Sequence, residues 1–373
     1  MQDFCFTDST HTADTPVTGA SHVRQDCVVS YWVHASWFRG GGCYEHVGRM
    51  AVSDCRGGAG TDGIITTEAL ISDSSCQADT CAPASHWLAG ADLVLLRPFF
   101  SHNPAFTVMQ ADGASFENFT DTNFTYDLAM SPRIWLEYRS ADDLGVRTQF
   151  WQFDQGSNAA TTSPPANGFG RVIPPTFDGV DISTTIPTDR FIADSALNAY
   201  YIDAEVTKRG SFACWDVVGS AGLRYASVEQ RYTAQLRTGP GTLAGLLNLQ
   251  HRVQGIGPTL AIETRRSLFD GLTLFANGRG SLLFGQSQAT FIGGEDLDLA
   301  TPFHTSYRSS QDSLLPIGEM QLGGEWWSPA SSLGQLFVRS ALETQFWNGV
   351  GNASSENGNL GLIGFSVGVG IVH

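Results

Sequence analysis

The chain has 373 residues, with 21 Lys and Arg against 37 Asp and Glu, a formal net charge of −16. That balance excludes a nucleic-acid binder, which needs a basic footprint to displace counterions. The lack of any run of 18 apolar residues excludes a transmembrane helix. Charged residues make up 16% and glycines number 41; ordinary soluble domains are about 25% charged and about 7% glycine, so the composition points to β-structure.

Residues 1–85 stand apart. They hold six of the seven cysteines, Cys5, Cys27, Cys43, Cys55, Cys76 and Cys81, with no C-x-x-C pair that would suggest a zinc or redox motif. The stretch reads as a cysteine-rich, loosely ordered extension, and His11, His22, His34 and His46 within it read as solvated loop residues. Its first residues show neither the basic nor the apolar region of a signal peptide.

From His86 onward, segments of alternating polarity recur, the period-two signature of strands. In chain order they are His86–Phe100, Phe124–Ser140, Leu144–Gln155, Ala193–Lys208, Phe212–Arg231, Ile256–Leu268, Leu272–Gly285, Leu314–Trp327, Gln335–Trp347 and Leu360–His373. Each is long enough to cross a bilayer as a tilted strand, which needs about 9–11 residues. The connections alternate strictly, long at 101–123, 156–192, 232–255, 286–313 and 348–359, short at 141–143, 209–211, 269–271 and 328–334. Sorting of loops by parity is the mark of an up-and-down transmembrane antiparallel β-barrel, with tight turns on the periplasmic rim and long loops outside. The expected fold is therefore all-β, with ten strands, eight or twelve being the alternatives, and both ends periplasmic.

The faces agree with that reading. Phe365, Val367, Val369 and Ile371 share one face of the last segment; Gly364, Ser366, Gly368 and Gly370 share the other. Met320, Leu322 and Trp326 alternate with Glu319, Gln321 and Glu325, and Val338, Leu342 and Phe346 with Arg339, Glu343 and Gln345. Apolar residues toward lipid and ionised residues toward a wet lumen avoid the cost of burying charge in a dry core. The pairs Trp326-Trp327 and Phe346-Trp347 suit interfacial aromatic girdles.

Several motifs then fall into order: Trp87-Leu-Ala-Gly-Ala-Asp-Leu-Val-Leu-Leu-Arg-Pro98, Ser131-Pro-Arg-Ile-Trp-Leu-Glu-Tyr138, Gly145-Val-Arg-Thr-Gln-Phe-Trp-Gln-Phe-Asp154, Gly257-Pro-Thr-Leu-Ala-Ile-Glu-Thr-Arg-Arg266 and Leu274-Phe-Ala-Asn-Gly-Arg-Gly-Ser-Leu-Leu-Phe284. Residues 86–373 resemble the Legionella-type major outer-membrane protein family, pore-forming barrels with many members in planctomycetes. The resemblance implies an outer-membrane barrel described as pore-forming and supplies no catalytic residue. The terminal His373 departs from the aromatic that often ends such barrels.

The expected function is a porin-like pore for small solutes or ions, with a lumen lined by Arg133, Glu137, Arg147, Glu205, Arg224, Glu263, Arg265, Arg279, Glu319, Glu325, Arg339 and Glu343. The alternatives are a closed structural or adhesive barrel whose loops bind a partner and, behind it, an outer-membrane hydrolase. Counting from the turn centres places Glu137 opposite Arg147, Glu263 opposite Arg279 and Glu325 opposite Arg339, a charge ladder within hairpins. Asp112, Glu117, Asp121, Asp178, Asp181, Asp189, Glu295, Asp296, Asp298, Asp312 and Glu356 outnumber Arg171, Arg237 and Arg308 in the loops, which favours cations at the mouth. The expected partners are the bilayer, a lipopolysaccharide-type outer leaflet and small solutes or cations; no nucleic acid is expected, and an oligomer is compatible with the sequence. No cofactor or metal motif is found. Gly364-Phe-Ser-Val-Gly368 lacks the helix a nucleophile elbow requires, Asp296-Leu-Asp298 lacks calcium-loop spacing, and Asn118, Asn123 and Asn352 read as polar loop residues. His102, His251 and His304 have no evident catalytic partner.

Overall fold

The computed structural model describes residues 85–373, apart from 112–116, 167–168, 176–181, 213–214, 270, 330, 332–333 and 356–357. The six N-terminal cysteines, the four histidines among them and Cys214 lie outside the described residues. Within the described residues there are strands and no helix. They are β1 (His86–Phe100), β2 (Pro104–Ala111), β3 (Glu117–Asn123), β4 (Ala129–Arg139), β5 (Leu144–Gly156), β6 (Ala160–Thr162), β7 (Gly170–Ile173), β8 (Arg190–Phe212), β9 (Trp215–Arg237), β10 (Leu243–Phe269), β11 (Leu272–Glu295), β12 (Phe303–Trp327), β13 (Gln335–Trp347) and β14 (Leu360–Val372).

Ten of these close a ring in the order β5, β4, β1, β14, β13, β12, β11, β10, β9, β8 and back to β5, every pair antiparallel. Closure leaves no long edge inside the bilayer, where an unpaired backbone group is costly. The two ends meet: Trp87 N–H donates to His373 O at 2.8 Å and His373 N–H to Trp87 O at 2.9 Å. One path of register partners leads from Trp135 through Gln149, Asp203, Arg224 and Gly257 to the level of Leu283. The other runs through Gly90, Gly370, Phe337 and Trp327 to Gly271. The stagger around the ring is therefore 283 − 271 = 12 residues. With ten strands, about 3.3 Å per residue and about 4.8 Å between strands, that stagger tilts the strands by about 40°.

All ten expected spans are present, but five are much longer than expected: β8 and β9 run 23 residues, β10 27, β11 24 and β12 25. The segments 232–255 and 286–313 are mostly strand rather than loop, leaving only 238–242 and 296–302 as connections. Residues 209–211, expected as a turn, are strand, and the β8–β9 pairing runs on to Phe212 opposite Trp215. The reason for the longer strands is a change of solvent along the wall. On β10, Ile256, Leu260 and Ile262 face outward and are exposed, while Thr259 and Glu263 face inward and are buried. Farther up, the outward positions become Gln254, Arg252, Gln250 and Asn248, and the buried inward ones become Val253, Leu249 and Leu247. The apolar phase moves to the other face, so a reading by alternation stops where the strand continues.

The outward switch follows one hydrogen-bonded rung across five strands. Ile202, Tyr225, Ile256, Phe284 and Leu314 are register partners on it, and the next outward rung is Tyr200, Ser227, Gln254, Gln286 and Asp312. Below that rung, β8 has ten more residues and β12 thirteen, as an oblique rung on tilted strands requires. The sheet β3-β2-β7 and the short β6, which pairs with β8, belong to the long-loop end. There Phe106, Phe124, Tyr126, Val172, Phe191, Tyr232 and Leu247 form an apolar cluster.

Candidate functional site

The bore is layered, and its first layer, toward the short turns, is ionic. All twelve residues expected to line the lumen lie on inward faces and take part in a network of ion pairs made of three groups, one around Asp92, one of Glu137 with Arg139, and one running from Glu319 to Glu325. Arg133 donates through Nε to Asp92 and through Nη1 to Glu343, both at 2.8 Å, and Arg339 Nη2 reaches the same Asp92 at 2.6 Å. Arg224, fully buried, grips both oxygens of Asp203 at 2.6 and 2.7 Å and also pairs with Glu319. Arg279 pairs with Glu205 and, at 3.1 Å, with Asp203; Arg147 Nη2 donates to Glu205 at 2.8 Å. Nearer the turns, Arg265 joins Glu263 at 2.6 Å to Glu325 at 3.4 Å, and Arg139 Nη2 meets Glu137 at 2.6 Å. A buried carboxylate is tolerated when guanidinium donors satisfy it with good geometry, as they do at Asp92, Asp203 and Glu205.

The hairpin ladder is corrected on two points. Glu137 and Arg147 are register partners, as are Glu325 and Arg339, but Glu263 faces Asn277. A register shift between Ser267 and Phe269 moves the centre of that hairpin one residue earlier than Gly271. Moreover, Arg339 and Arg279 make their closest ionic contacts with strands two and three places away, Asp92 on β1 and Glu205 on β8, while Arg147 pairs with Glu205, its register partner on the other neighbouring strand, β8. In a narrow tilted bore, an Arg side chain reaches strands two or three places away.

Three members of the network were missed by the sequence reading: Asp92, Arg139 and Asp203. Arg139 and Asp203 are in phase with Glu137 and Glu205, so the period-two signal for them was present. Asp92 lies between apolar inward neighbours, Leu88 and Val94, and alternation gave it no acidic or basic context.

Above the ions the bore is filled by apolar side chains. Trp151, Phe153, Leu197, Tyr201, Leu283, Ile317, Trp347, Leu360 and Leu362 form one buried cluster. Trp151 stacks on Tyr201 at 5.2 Å between ring centres and lies 6.2 Å from Trp347; Arg224 lies 3.9 Å over the Tyr201 ring, joining the layers. The girdle expectation is corrected here. Trp326 and Phe346 face outward, but Trp347 is wholly buried in the bore and Trp327 stands inward against Phe337 at 4.8 Å.

A polar layer follows. The connection after β13 folds inward, burying Val350, Asn352 and Ala353, so Asn352 is no surface loop residue. Gln230 Nε2 donates to the carbonyls of Val350 and Gly351 at 3.0 and 3.2 Å. His251, which had no evident partner in sequence, sits 2.8 Å from Ser287 Oγ through Nε2 and 3.1 Å from Asn352 O through Nδ1. Both His251 and Ser287 are buried between apolar layers, so the pair fastens the inward loop. Ser366 lies inside β14, in the strand interior.

The expected acidic mouth is only partly formed of loops. Asp112, Asp178, Asp181 and Glu356, and the side chain of Glu117, lie outside the described residues. Glu295 and Asp312 are in strands, and Asp189 is buried, accepting from Thr184 Oγ1 at 2.8 Å. Asp121, Asp296 and Asp298 remain at the long-loop end.

Residues 80–372 match the family described as Legionella pneumophila major outer membrane protein precursor. The chain belongs to this family. As a Legionella-type major outer-membrane protein it is an integral β-barrel of a Gram-negative outer membrane. No curated protein matches the chain. Among solved structures it is similar to the outer membrane protease OmpT from Escherichia coli, at 11% identity over 77% of this chain and 97% of that one, TM-score 0.42. It is also similar to OprG from Pseudomonas aeruginosa, at 11% over 77% and 96%, TM-score 0.28. For the Pseudomonas putida toluene transporter TodX the figures are 11% over 78% and 89%, TM-score 0.24.

Proposed function

We propose that this barrel rests closed, as a structural outer-membrane barrel that presents its tall wall and loops outside the cell and admits no continuous path for ions. The observation that carries this reading is the strand-borne filling of the bore by Trp151, Phe153, Tyr201 and Trp347. Ten strands leave little more room than the eight whose interior side chains fill. Because these groups belong to the wall, removing the inward loop alone would not open the bore. In this orientation the short turns and both ends of the barrel are periplasmic.

Single-channel recording on the refolded full chain in planar bilayers tests the reading. The expected result is no stepwise conductance. Regular ion steps from the unaltered protein would overturn it.

A second reading, the pore that the family resemblance implies, is favoured by the ionic layer. Seven arginines and eight carboxylates facing inward suit a wet lumen better than a dry one. On that reading Asp121, Asp296 and Asp298 at the outer mouth give a cation preference that fades at high salt.

A further inference from the structure

One charge stands on the lipid side of the wall without a protein partner. Among the described residues, the outward faces of β4, β1, β14 and β13 carry a single charged group, Arg97. Its neighbours there are apolar: Leu95 and Phe99 on the same strand, and Ile363, its register partner on β14. The Phe99 ring lies 5.4 Å from the guanidinium, but no ion pair or hydrogen bond reaches Arg97 among the described residues. An ionised group beside lipid is costly unless it is paired or extends to the headgroups.

The aromatics set its height. Trp87 and Tyr138, exposed and 5.0 Å apart between ring centres, mark the short-turn rim. Phe99 and Phe346, each half-exposed and both register partners of Gly361, mark the long-loop rim. Arg97 stands ten residues above Trp87, a rise of about 25 Å at about 3.3 Å per residue and a tilt of about 40°. The apolar band of such a barrel is itself about 25 Å tall. A long cationic side chain at that level reaches the outer headgroups. The anion that lipid headgroups supply is phosphate, which a guanidinium grips through two parallel hydrogen bonds.

A cleft of 170 Å³ opens beside this arginine, its walls including Arg97, Phe99, His102, Asn123 and Thr125. Its two arms are pinned together: Phe124 N–H donates to Asn103 O and Asn103 Nδ2 to Tyr126 Oη, both at 3.1 Å. His102, Asn123 and Thr125 are exposed, and their side chains make no hydrogen bond among the described residues. We propose that Arg97 and this cleft hold the phosphate-bearing headgroup of an outer-leaflet lipid. The guanidinium pairs with the phosphate, and the cleft takes the polar part of the headgroup next to it. The site lies on the outer side of the wall and does not depend on whether the bore is open.

Native mass spectrometry on the refolded full chain in detergent micelles tests it. The probes are phosphorylated lipid A, the same lipid A stripped of its phosphates, and inorganic phosphate. One phosphorylated lipid should be retained per barrel, tighter than the stripped lipid by about tenfold or more, the effect of one charge-assisted hydrogen bond. Arg97→Gln should erase that difference while leaving retention of the stripped lipid unchanged. Arg252→Gln, on the polar outward stretch of β10, should keep the full preference. Equal retention of both lipids by the unaltered, folded barrel would overturn the site without recourse to any variant. A preference that survives Arg97→Gln would overturn Arg97 as the group that holds the phosphate. Displacement of the lipid by inorganic phosphate at matched concentration would overturn a lipid as the occupant.

Discussion

Two stretches of the same strand obey opposite rules. Within the bilayer, β10 sends Leu260 and Ile262 out to lipid and Glu263 in to the ionic layer; above it, the strand sends Arg252 and Gln250 out to water and Leu249 and Leu247 in to a core. The strand geometry does not change, only the solvent outside. Lipid tails are as apolar as leucine, so outward residues there gain nothing from being buried against protein, and stability comes from closed hydrogen bonding and paired charge. Above the rung of Ile256 the hydrophobic effect returns, and the barrel is built inside-in like a soluble protein.

The largest effect should come from breaking the apolar layer. Replacing both Trp151 and Trp347 with alanine removes two wholly buried indoles, each worth about 3–5 kcal/mol in a core. The double variant should lower the denaturation midpoint of the micelle-bound barrel strongly and, where it still folds, convert a silent barrel into one with stepwise conductance. The milder Trp347→Leu should keep the fold and stay silent. A folded double variant without conductance would mean that the ionic layer alone closes the bore.

Next comes the ionic layer. Arg224→Leu leaves Asp203 and Glu319 without their shared guanidinium. Losing one partner of a buried pair costs about 3–5 kcal/mol, and guanidinium unfolding in micelles should read a loss of that order. A loss under about 1 kcal/mol would show that water reaches these carboxylates, which is the wet lumen of the pore reading.

The outer face offers a smaller and more controlled contrast on a single strand. Leu260→Arg, in the lipid belt, should cost about 2–4 kcal/mol. Asn248→Arg, six rungs of outward alternation higher, should stay within about 0.5 kcal/mol, like an ordinary surface change. Folding into vesicles of defined thickness compares the two directly. Equal costs would move the edge of the belt away from the rung of Ile256.

These contrasts also explain what could be read from the sequence. The spans, the closed ring and the ionic lumen were legible because lipid outside and charge inside give a clean alternation, as in Glu319, Gln321 and Glu325 against Met320, Leu322 and Trp326. The tall wall was not. At Gln254 and Ile256 the apolar residues change faces, and a shift of phase in a sequence looks the same as the end of a strand. The apolar filling was signalled but passed over: Trp347 is in phase with Arg339, Glu343 and Gln345 and so turns inward, yet its place beside Phe346 near a strand end read as an interfacial pair. Cross-bore partners such as Arg279 and Glu205, 74 residues apart, depend on the stagger of the whole ring, which no single hairpin contains.

The smallest expected effect is also the sharpest comparison, because the local sequence is held constant. The pattern Glu-x-Arg occurs at Glu229-Gln-Arg231 and at Glu263-Thr-Arg265, and in both the arginine Nε donates to the glutamate two residues before it, at 2.8 and 2.6 Å. The first pair faces water above the belt, with the Arg231 side chain 65% exposed; the second faces the bore. In water an exposed pair contributes about 0–1 kcal/mol and is screened by salt. Arg231→Ala should therefore change stability by under about 1 kcal/mol, with any loss vanishing at 1 M salt, where the Debye length is about 3 Å. Arg265→Ala strips the guanidinium from Glu263 and from Glu325, whose side chain is 1% exposed, and should cost about 3 kcal/mol with little salt dependence, since a buried pair is screened much less. Matching costs and matching salt dependence in the two variants would mean that the bore beside Arg265 is as wet as the outside, and the distinction between the two regions would fail at the short-turn end.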